Sequence, residues 1–481
     1  MKIAFTTLGC KLNYAETSTY QRGFRDAGWD IVSWTQQADV YLINTCAVTE
    51  TAEKKSRNLI RRAHKTAPEA RIVVTGCYAQ LRKDQLLALD GVWRVFGADE
   101  KAQVVSRTVA GDSGAEIASA SLRPLPFPPG TGPSLLRGRG WPRSSEPQSP
   151  STSLSHSAPL CHSERSEESA VFGAYSTGER TRSFLKVQDG CDNFCAYCTV
   201  PFARGRSRNI PICECVKMAR EIAAQGVKEV VLTGVNTGDY GRTTGESFLD
   251  LLKALNEVEG IERYRISSIE PNLITPEIVD WIASGTKFQP HFHIPLQSGS
   301  DMLLKRVGRR YDTALFASRI DYIRQAFGET LIPGDIGLLL SPQESVSSRG
   351  DRARVFFGID VIVGLPGETE ELFEETYRFL RDRIRPAFIH VFPYSRRPGT
   401  RAAEWKDQVQ DSIKTERVAR LEALCQELHA AFVAANKGRR DTVLWESSVK
   451  NGLMGGYTSN YIRIEQPFDR KKVNTIEQIV I

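Results

Sequence analysis

Three cysteines at C-x3-C-x2-C spacing, in Gly190-Cys191-Asp-Asn-Phe-Cys195-Ala-Tyr197-Cys198, are the densest chemistry in the sequence. Three thiolates in one tight loop can hold three irons of a 4Fe-4S cluster. A cluster closed by protein takes four cysteines, so here the fourth iron stays open. The competing reading is a zinc knuckle, but structural zinc usually takes four ligands from paired Cys or His elements, and no such pair stands at suitable spacing nearby.

A second set is less visible. Cys10, Cys46 and Cys77 are far apart, yet each directly follows a strand-like apolar run, at Lys2–Thr7, Val40–Asn44 and Arg71–Thr75. In a parallel sheet the carboxyl ends of the strands lie along one edge, where ligand sites form, so the three lone cysteines converge on one site. A free cysteine is often just a buried, inert thiol, but three at equivalent strand ends suggest a second cluster with one iron unfilled. Cys161, Cys213, Cys215 and Cys425 lack such placement and read as plain thiols.

Positioning these sets requires a particular order of elements. Residues 1–111 alternate strand and helix, with helical stretches at Glu16–Ala27 and Glu50–Lys65, which implies a doubly wound parallel sheet. Residues 112–182 are rich in Ser, Pro and Gly and show no apolar period, so they read as a disordered insert. Residues 183–411 offer six strands: Ser183–Val187, Glu229–Thr233, Arg263–Ser267, His291–Pro295, Gly358–Val363 and Ala387–Phe392. Helices such as Ile212–Ala224 and Glu370–Arg383 separate them, so an α/β fold with a partial (β/α) barrel is expected, interrupted by a second insertion over 328–354. A linking helix at 412–437 leads to a β-rich tail at 438–481, where Thr442–Trp445, Tyr461–Ile464 and Gln478–Ile481 suggest a small β-barrel.

Composition sets the outer limits. A chain of 481 residues exceeds one ordinary core, and 41% hydrophobic with 25% charged residues is the balance of a soluble globular protein. The N-terminus lacks a basic-then-apolar signal pattern and no apolar run is long enough to span a bilayer, so no membrane partner is expected and the expected address is the cytoplasm. In that reducing compartment ten cysteines are poor disulfide candidates. A formal charge of +6 permits an RNA partner and does not by itself establish one.

The C-x3-C-x2-C loop, with Tyr197 just before its last cysteine, is similar to the signature of the radical S-adenosylmethionine superfamily. That resemblance implies S-adenosylmethionine chelated at the open iron and cleaved to a 5′-deoxyadenosyl radical. The whole chain outside the two inserts resembles the methylthiotransferases of that superfamily. The likeness is carried by Thr7-Leu-Gly-Cys10-Lys11-Leu-Asn13, Asn44-Thr-Cys46, Thr75-Gly-Cys77, Ser267-Ser268-Ile-Glu270-Pro271, His293-Ile-Pro-Leu-Gln297-Ser-Gly299, Asp360-Val-Ile-Val-Gly364-Leu-Pro-Gly367-Glu368 and Pro393-Tyr394-Ser-Arg396-Arg-Pro-Gly399. The run from Cys198 through Arg204-Gly-Arg206-Ser-Arg208 is close to the threonylcarbamoyladenosine-specific subgroup. Relatives acting on ribosomal protein S12 open with Gly-Cys-Pro-Lys, where this chain has Gly9-Cys10-Lys11.

The resemblance implies two 4Fe-4S clusters, the auxiliary one on Cys10, Cys46 and Cys77. It places S-adenosylmethionine on Thr233, Gly234, Ser268, Glu270, Gln297 and Gly364, at barrel strand ends. It implies conversion of N6-threonylcarbamoyladenosine at tRNA position 37 to the 2-methylthio derivative. One S-adenosylmethionine would methylate a sulfur at the auxiliary cluster, and a second would give the radical that takes the C2 hydrogen. An external electron donor and a sulfur source are required, and no side chain is named as a general base. RNA contacts are expected from Arg204, Arg206 and Arg208, from basic clusters at Lys437, Arg439, Arg440 and Arg470, Lys471, Lys472, and from stacking on Tyr457 and Tyr461. Rival expectations are the same chemistry on isopentenyladenosine or ribosomal protein S12, and a non-catalytic iron–sulfur RNA-binding protein.

Overall fold

The computed structural model describes residues 1–111, 171–177, 181–242, 244–329 and 354–481. Most of the 112–182 insert, including Cys161, and most of the 328–354 insertion lie outside the described residues.

The N-terminal unit runs β1 (Lys2–Thr7), α1 (Lys11–Asp26), β2 (Asp30–Val32), β3 (Val40–Thr45), α2 (Glu50–Thr66), β4 (Arg71–Gly76), α3 (Cys77–Leu81), α4 (Lys83–Leu87), β5 (Val92–Val95) and α5 (Val104–Ala110). Its five strands are all parallel in the order β2-β1-β3-β4-β5. Every residue of β3 is buried, because a central strand covered on both faces has no polar side to show. Tyr41 and Ile43 enter the core on one face, Val40 and Leu42 that on the other. Helix α1 starts at Lys11, earlier than the expected Glu16. Its N-cap is Cys10, which makes no capping hydrogen bond, so the usual Ser/Thr/Asp start signal is missing.

The central unit follows as β6 (Arg182–Lys186), β7 (Gln188–Asp189), α6 (Val200–Arg204), β8 (Arg208–Asn209), α7 (Ile212–Ala224), β9 (Glu229–Thr233), α8 (Phe248–Asn256), β10 (Arg263–Ile266), α9 (Pro276–Ala283), β11 (His291–Gln297), α10 (Asp301–Val307), α11 (Thr313–Ala326), β12 (Phe356–Val363), α12 (Glu370–Arg378) and β13 (Phe388–Pro393). Two parallel arcs, β6-β9-β10 and β11-β12-β13, are joined by bridges between Tyr264 and Phe288 and between Ser268 and His293. Six strands in chain order thus form a partial (β/α) barrel.

Two sequence boundaries shift. Val171–Thr177, expected within the insert, packs on the N-terminal unit: Phe172 stacks on Tyr20 at 5.4 Å, and Tyr175 bridges Leu185 in β6. Its apolar run is too short to carry a period. The helix expected over Glu370–Arg383 is α-helical only to Arg378 and ends in a π-helical turn, Phe379–Ile384.

Helix α13 (Asp411–Ala434) leads to β14 (Arg440–Lys450), β15 (Leu453–Thr458), β16 (Arg463–Pro467) and β17 (Ile476–Val480), a curled antiparallel half-barrel in the order β16-β15-β14-β17. Strand β15 escapes sequence reading because Gly455 and Gly456 interrupt it. Gly456 is needed there: a Cβ would lie 2.6 Å from Val443 Cγ2 and 2.7 Å from the Leu444 carbonyl oxygen.

Candidate active site

The Cys191–Cys198 loop follows the first barrel strand and is pinned by its own backbone. Cys191 N–H donates to the Gly205 carbonyl at 3.1 Å, Ala196 N–H to Val307 at 2.8 Å and Cys198 N–H to Cys195 at 3.0 Å. Gly190 adopts φ +71, and a side chain there would collide with the Arg206 carbonyl. Burial pushes the Cys191 and Cys198 thiols up to about 12, with neighbouring loop cysteines adding to the rise. Three thiols crowded into one loop are a donor set that a polynuclear cation, which favours the thiolates, can take up. Arg309 donates to Cys195 Sγ at 3.2 Å and to Glu270 at 2.7 Å, and Asn193 Nδ2 donates to Glu270 at 2.8 Å. Glu270 is therefore locked beside the cysteine loop. Sequence reading singled out Glu270 but missed Arg309, which stands in no motif, and Asn193, which lies inside the cysteine motif at a position whose residue type the spacing does not fix.

The second set converges as its strand-end positions imply. Cys10 caps α1, Cys46 follows β3 and Cys77 opens α3 after β4. A Cβ on Gly9, φ +110, would lie 3.0 Å from Cys46 Cβ and 3.2 Å from its sulfur, so the Cys10 turn sits directly on Cys46. Burial, with Cys77 and Cys10 nearby, pushes Cys46 up to about 11, and burial raises Cys77 as well.

Beneath this set lies a sealed charge network. Glu16 Oε1 accepts from Lys101 at 2.8 Å, Lys186 at 2.9 Å and Arg204 at 3.3 Å, and Asp189 pairs with Lys186 at 2.7 Å and Arg204 at 2.9 Å. Three buried cations meet two carboxylates, and the half-buried Arg208 adds a fourth at 3.9 Å from Asp189, so positive charge is in excess. Burial works against the charge on Arg204, but Cys77, Asp189, Glu16 and Cys10 outweigh it. A buried surplus cation against cysteine sulfurs suits a cluster whose thiolates are negative. Arg204 is only 2% exposed, so it acts as a strut between two units and does not reach solvent as a phosphate contact must. Arg206 is exposed, while Arg208 is half-buried and bonded to the Arg204 carbonyl at 2.7 Å.

Two cavities meet between these sets. The smaller, about 210 Å³, is walled by Val48 and Thr49, just after Cys46, by Tyr197 through Val200 around Cys198, and by Gln297 and Asp360. The larger, about 610 Å³, occupies the barrel lumen and opens on Cys10, Lys11, Arg265, Tyr457 and Tyr461. His293 and His390 line the larger and Asp360 the smaller, and their ligand atoms lie within 4.8 Å of one another. The imidazoles stack at 4.9 Å with planes 19° apart. His293 Nε2 bonds Asp360 at 2.7 Å, so the trio stands as a wall between the two cavities.

The remaining expected contacts fall as follows. Thr233 is buried, its hydroxyl donating to the Leu185 carbonyl, and Gly234 packs on Gln188. The Ser268 carbonyl accepts from Thr237, and Gln297, at φ +71, faces the smaller cavity. Gly364 lies under Lys414 of α13, so its close approach is to that chain. Tyr457 and Tyr461 stack on each other at 4.7 Å and face the lumen. Lys437, Arg440, Arg470 and Lys471 are exposed, whereas Arg439 and Lys472 are half-buried.

Residues 2–97 match the model described as Uncharacterized protein family UPF0004, and residues 185–344 that of the Radical SAM superfamily. The chain is similar in fold to the radical S-adenosylmethionine methyltransferase TsrM from Kitasatospora setae, solved with cobalamin and a 4Fe-4S cluster bound: TM-score 0.52, 14% identity, 84% of this chain and 74% of that one. Fold and cysteine placement together define a radical S-adenosylmethionine protein with a second cysteine triad. The chain is also 36% identical to the threonylcarbamoyladenosine tRNA methylthiotransferase MtaB of Bacillus subtilis over 96% of its own length and 89% of that protein. With the relative of that name from Aquifex aeolicus it shares 33% identity over 100% of both chains. The tRNA-2-methylthio-N(6)-dimethylallyladenosine synthase of Geobacter sulfurreducens is 30% identical over 99% of this chain and 93% of its own. The chain belongs to the methylthiotransferase family, within the threonylcarbamoyladenosine tRNA subgroup.

Proposed function

We propose that this protein methylthiolates C2 of N6-threonylcarbamoyladenosine at position 37 of tRNA. The observation that carries the reading is the meeting of the two cysteine triads on adjoining cavities, Cys10 on the larger and Cys198 on the smaller, in a chain whose full-length relatives bear that activity in their names. When bound, two 4Fe-4S clusters and S-adenosylmethionine would supply the radical chemistry that an unactivated aromatic C–H demands. Cys191, Cys195 and Cys198 hold one cluster and Cys10, Cys46 and Cys77 the other.

The other residues serve placement. Glu270, fixed by Arg309 and Asn193, offers a carboxylate to the cofactor's ribose hydroxyls beside the cysteine loop. An external reductant and a sulfur source complete the reaction.

Mass spectrometry of tRNA nucleosides from cells with and without the gene tests this. Selective loss of 2-methylthio-threonylcarbamoyladenosine, restored by wild type and not by Cys198→Ala, is expected. Loss of the isopentenyl counterpart instead would transfer the activity to that substrate.

A further inference from the structure

The larger cavity contains a cation with no partner among the described residues. Lys11 directly follows Cys10, is exposed into the cavity, and makes no side-chain hydrogen bond or ion pair with any described residue. It shares the cavity lining with Arg182, Arg265 and Tyr461, which places it at the lumen. The other cations on that wall are already matched. Arg265 bonds Glu229 at 2.9 Å, Arg182 bonds Glu446 at 2.9 Å, and Arg463 bonds Glu465 at 2.9 Å. No Asp or Glu lines the cavity itself. An unmatched cation in a cavity with no acidic lining is stabilised by an arriving anion.

We infer that Lys11 receives the carboxylate of the substrate's threonylcarbamoyl group and so selects that nucleoside over one whose N6 substituent is uncharged and apolar. The inference rests on the proposed activity. The substrate's geometry agrees with it: N6 and C2 lie on one edge of the purine with N1 between them. An anchor for the N6 arm next to Cys10 therefore holds C2 beside the cluster from which sulfur is delivered.

The test uses full-length, reconstituted enzyme and two anticodon stem-loop RNAs, one with threonylcarbamoyladenosine and one with its carboxylate converted to the methylamide. Wild type should prefer the carboxylate RNA by about tenfold or more in kcat/KM and bind it correspondingly tighter by fluorescence anisotropy. Lys11→Gln, with wild-type iron content, should lose about tenfold on the carboxylate RNA, mostly in KM, and change less than about threefold on the methylamide. Lys11→Arg should keep most of the preference, since it keeps the charge. The inference falls if Lys11→Gln retains the wild-type preference or if wild type does not distinguish the two RNAs, an outcome that decides the matter even if the glutamine variant fails to assemble. If wild type modifies an isopentenyladenosine RNA and neither of these, the activity reading itself falls and takes the inference with it.

Discussion

Six cysteines in two triads make a prediction that can be read in iron alone. Cys198→Ala and Cys46→Ala should each retain about half of the wild-type iron, since each removes one of two clusters. Only Cys198→Ala should abolish reductive cleavage of S-adenosylmethionine, and retained cleavage in that variant would contradict the division of labour between the triads. Arg309 belongs to the same scale. It touches both Cys195 and Glu270, so Arg309→Met should weaken S-adenosylmethionine binding about tenfold with iron content intact, as equilibrium dialysis would show. The cysteines were legible because their spacing, or their place after apolar runs, is itself the signal. The roles of Arg309 and of Asn193, the latter inside the cysteine loop, were not, since they exist only through contacts with residues distant in sequence. Arg204 looked like part of an Arg-rich RNA run and lies buried among carboxylates and sulfurs, a burial that linear charge patterns do not encode.

Between elements, the Glu16–Lys101–Lys186–Asp189–Arg204 network ties α1 and the 3-10 turn Lys101–Gln103 of the sheet unit to the barrel. Removing one carboxylate leaves buried cations uncompensated, so Glu16→Gln should cost about 3–5 kcal/mol, seen as a lower Tm at pH 7. Burial alone would raise the Glu16 and Asp189 pKa values, but the surrounding cations outweigh it and hold both below the usual carboxylate range. Their stabilisation is therefore fully present above about pH 4.5 and is lost as pH falls towards the folded-state pKa values. The Tm gap between wild type and Glu16→Gln should accordingly narrow from pH 7 to pH 3, and a gap that widens would refute the pairing. The longer strands were readable from apolar runs, as at Glu229–Thr233. The losses came where the pattern was short or broken: at β2, β5, β7 and β8, of two to four residues each, at the uncapped start of α1 and at the two glycines of β15.

Across the whole molecule, three units enclose one lumen: the sheet unit brings Cys10 and Lys11, the barrel its inner wall, and the half-barrel Tyr457 and Tyr461. Arg470 and Lys471 are exposed, in the turn between β16 and β17 of that last unit. Replacing both with Gln should weaken tRNA binding without altering cleavage of S-adenosylmethionine, and should lower the log–log salt slope by about 1–2. The most direct test of the central claim is anaerobic turnover of a threonylcarbamoyladenosine stem-loop by the reconstituted protein, with a chemical reductant, a sulfide source and S-adenosylmethionine, followed by mass spectrometry of the digested nucleosides. Formation of the 2-methylthio nucleoside by wild type, and by neither Cys46→Ala nor Cys198→Ala, is the expected result. Product from a variant lacking either triad, or none from a wild-type protein that carries both clusters and cleaves S-adenosylmethionine, would contradict the account.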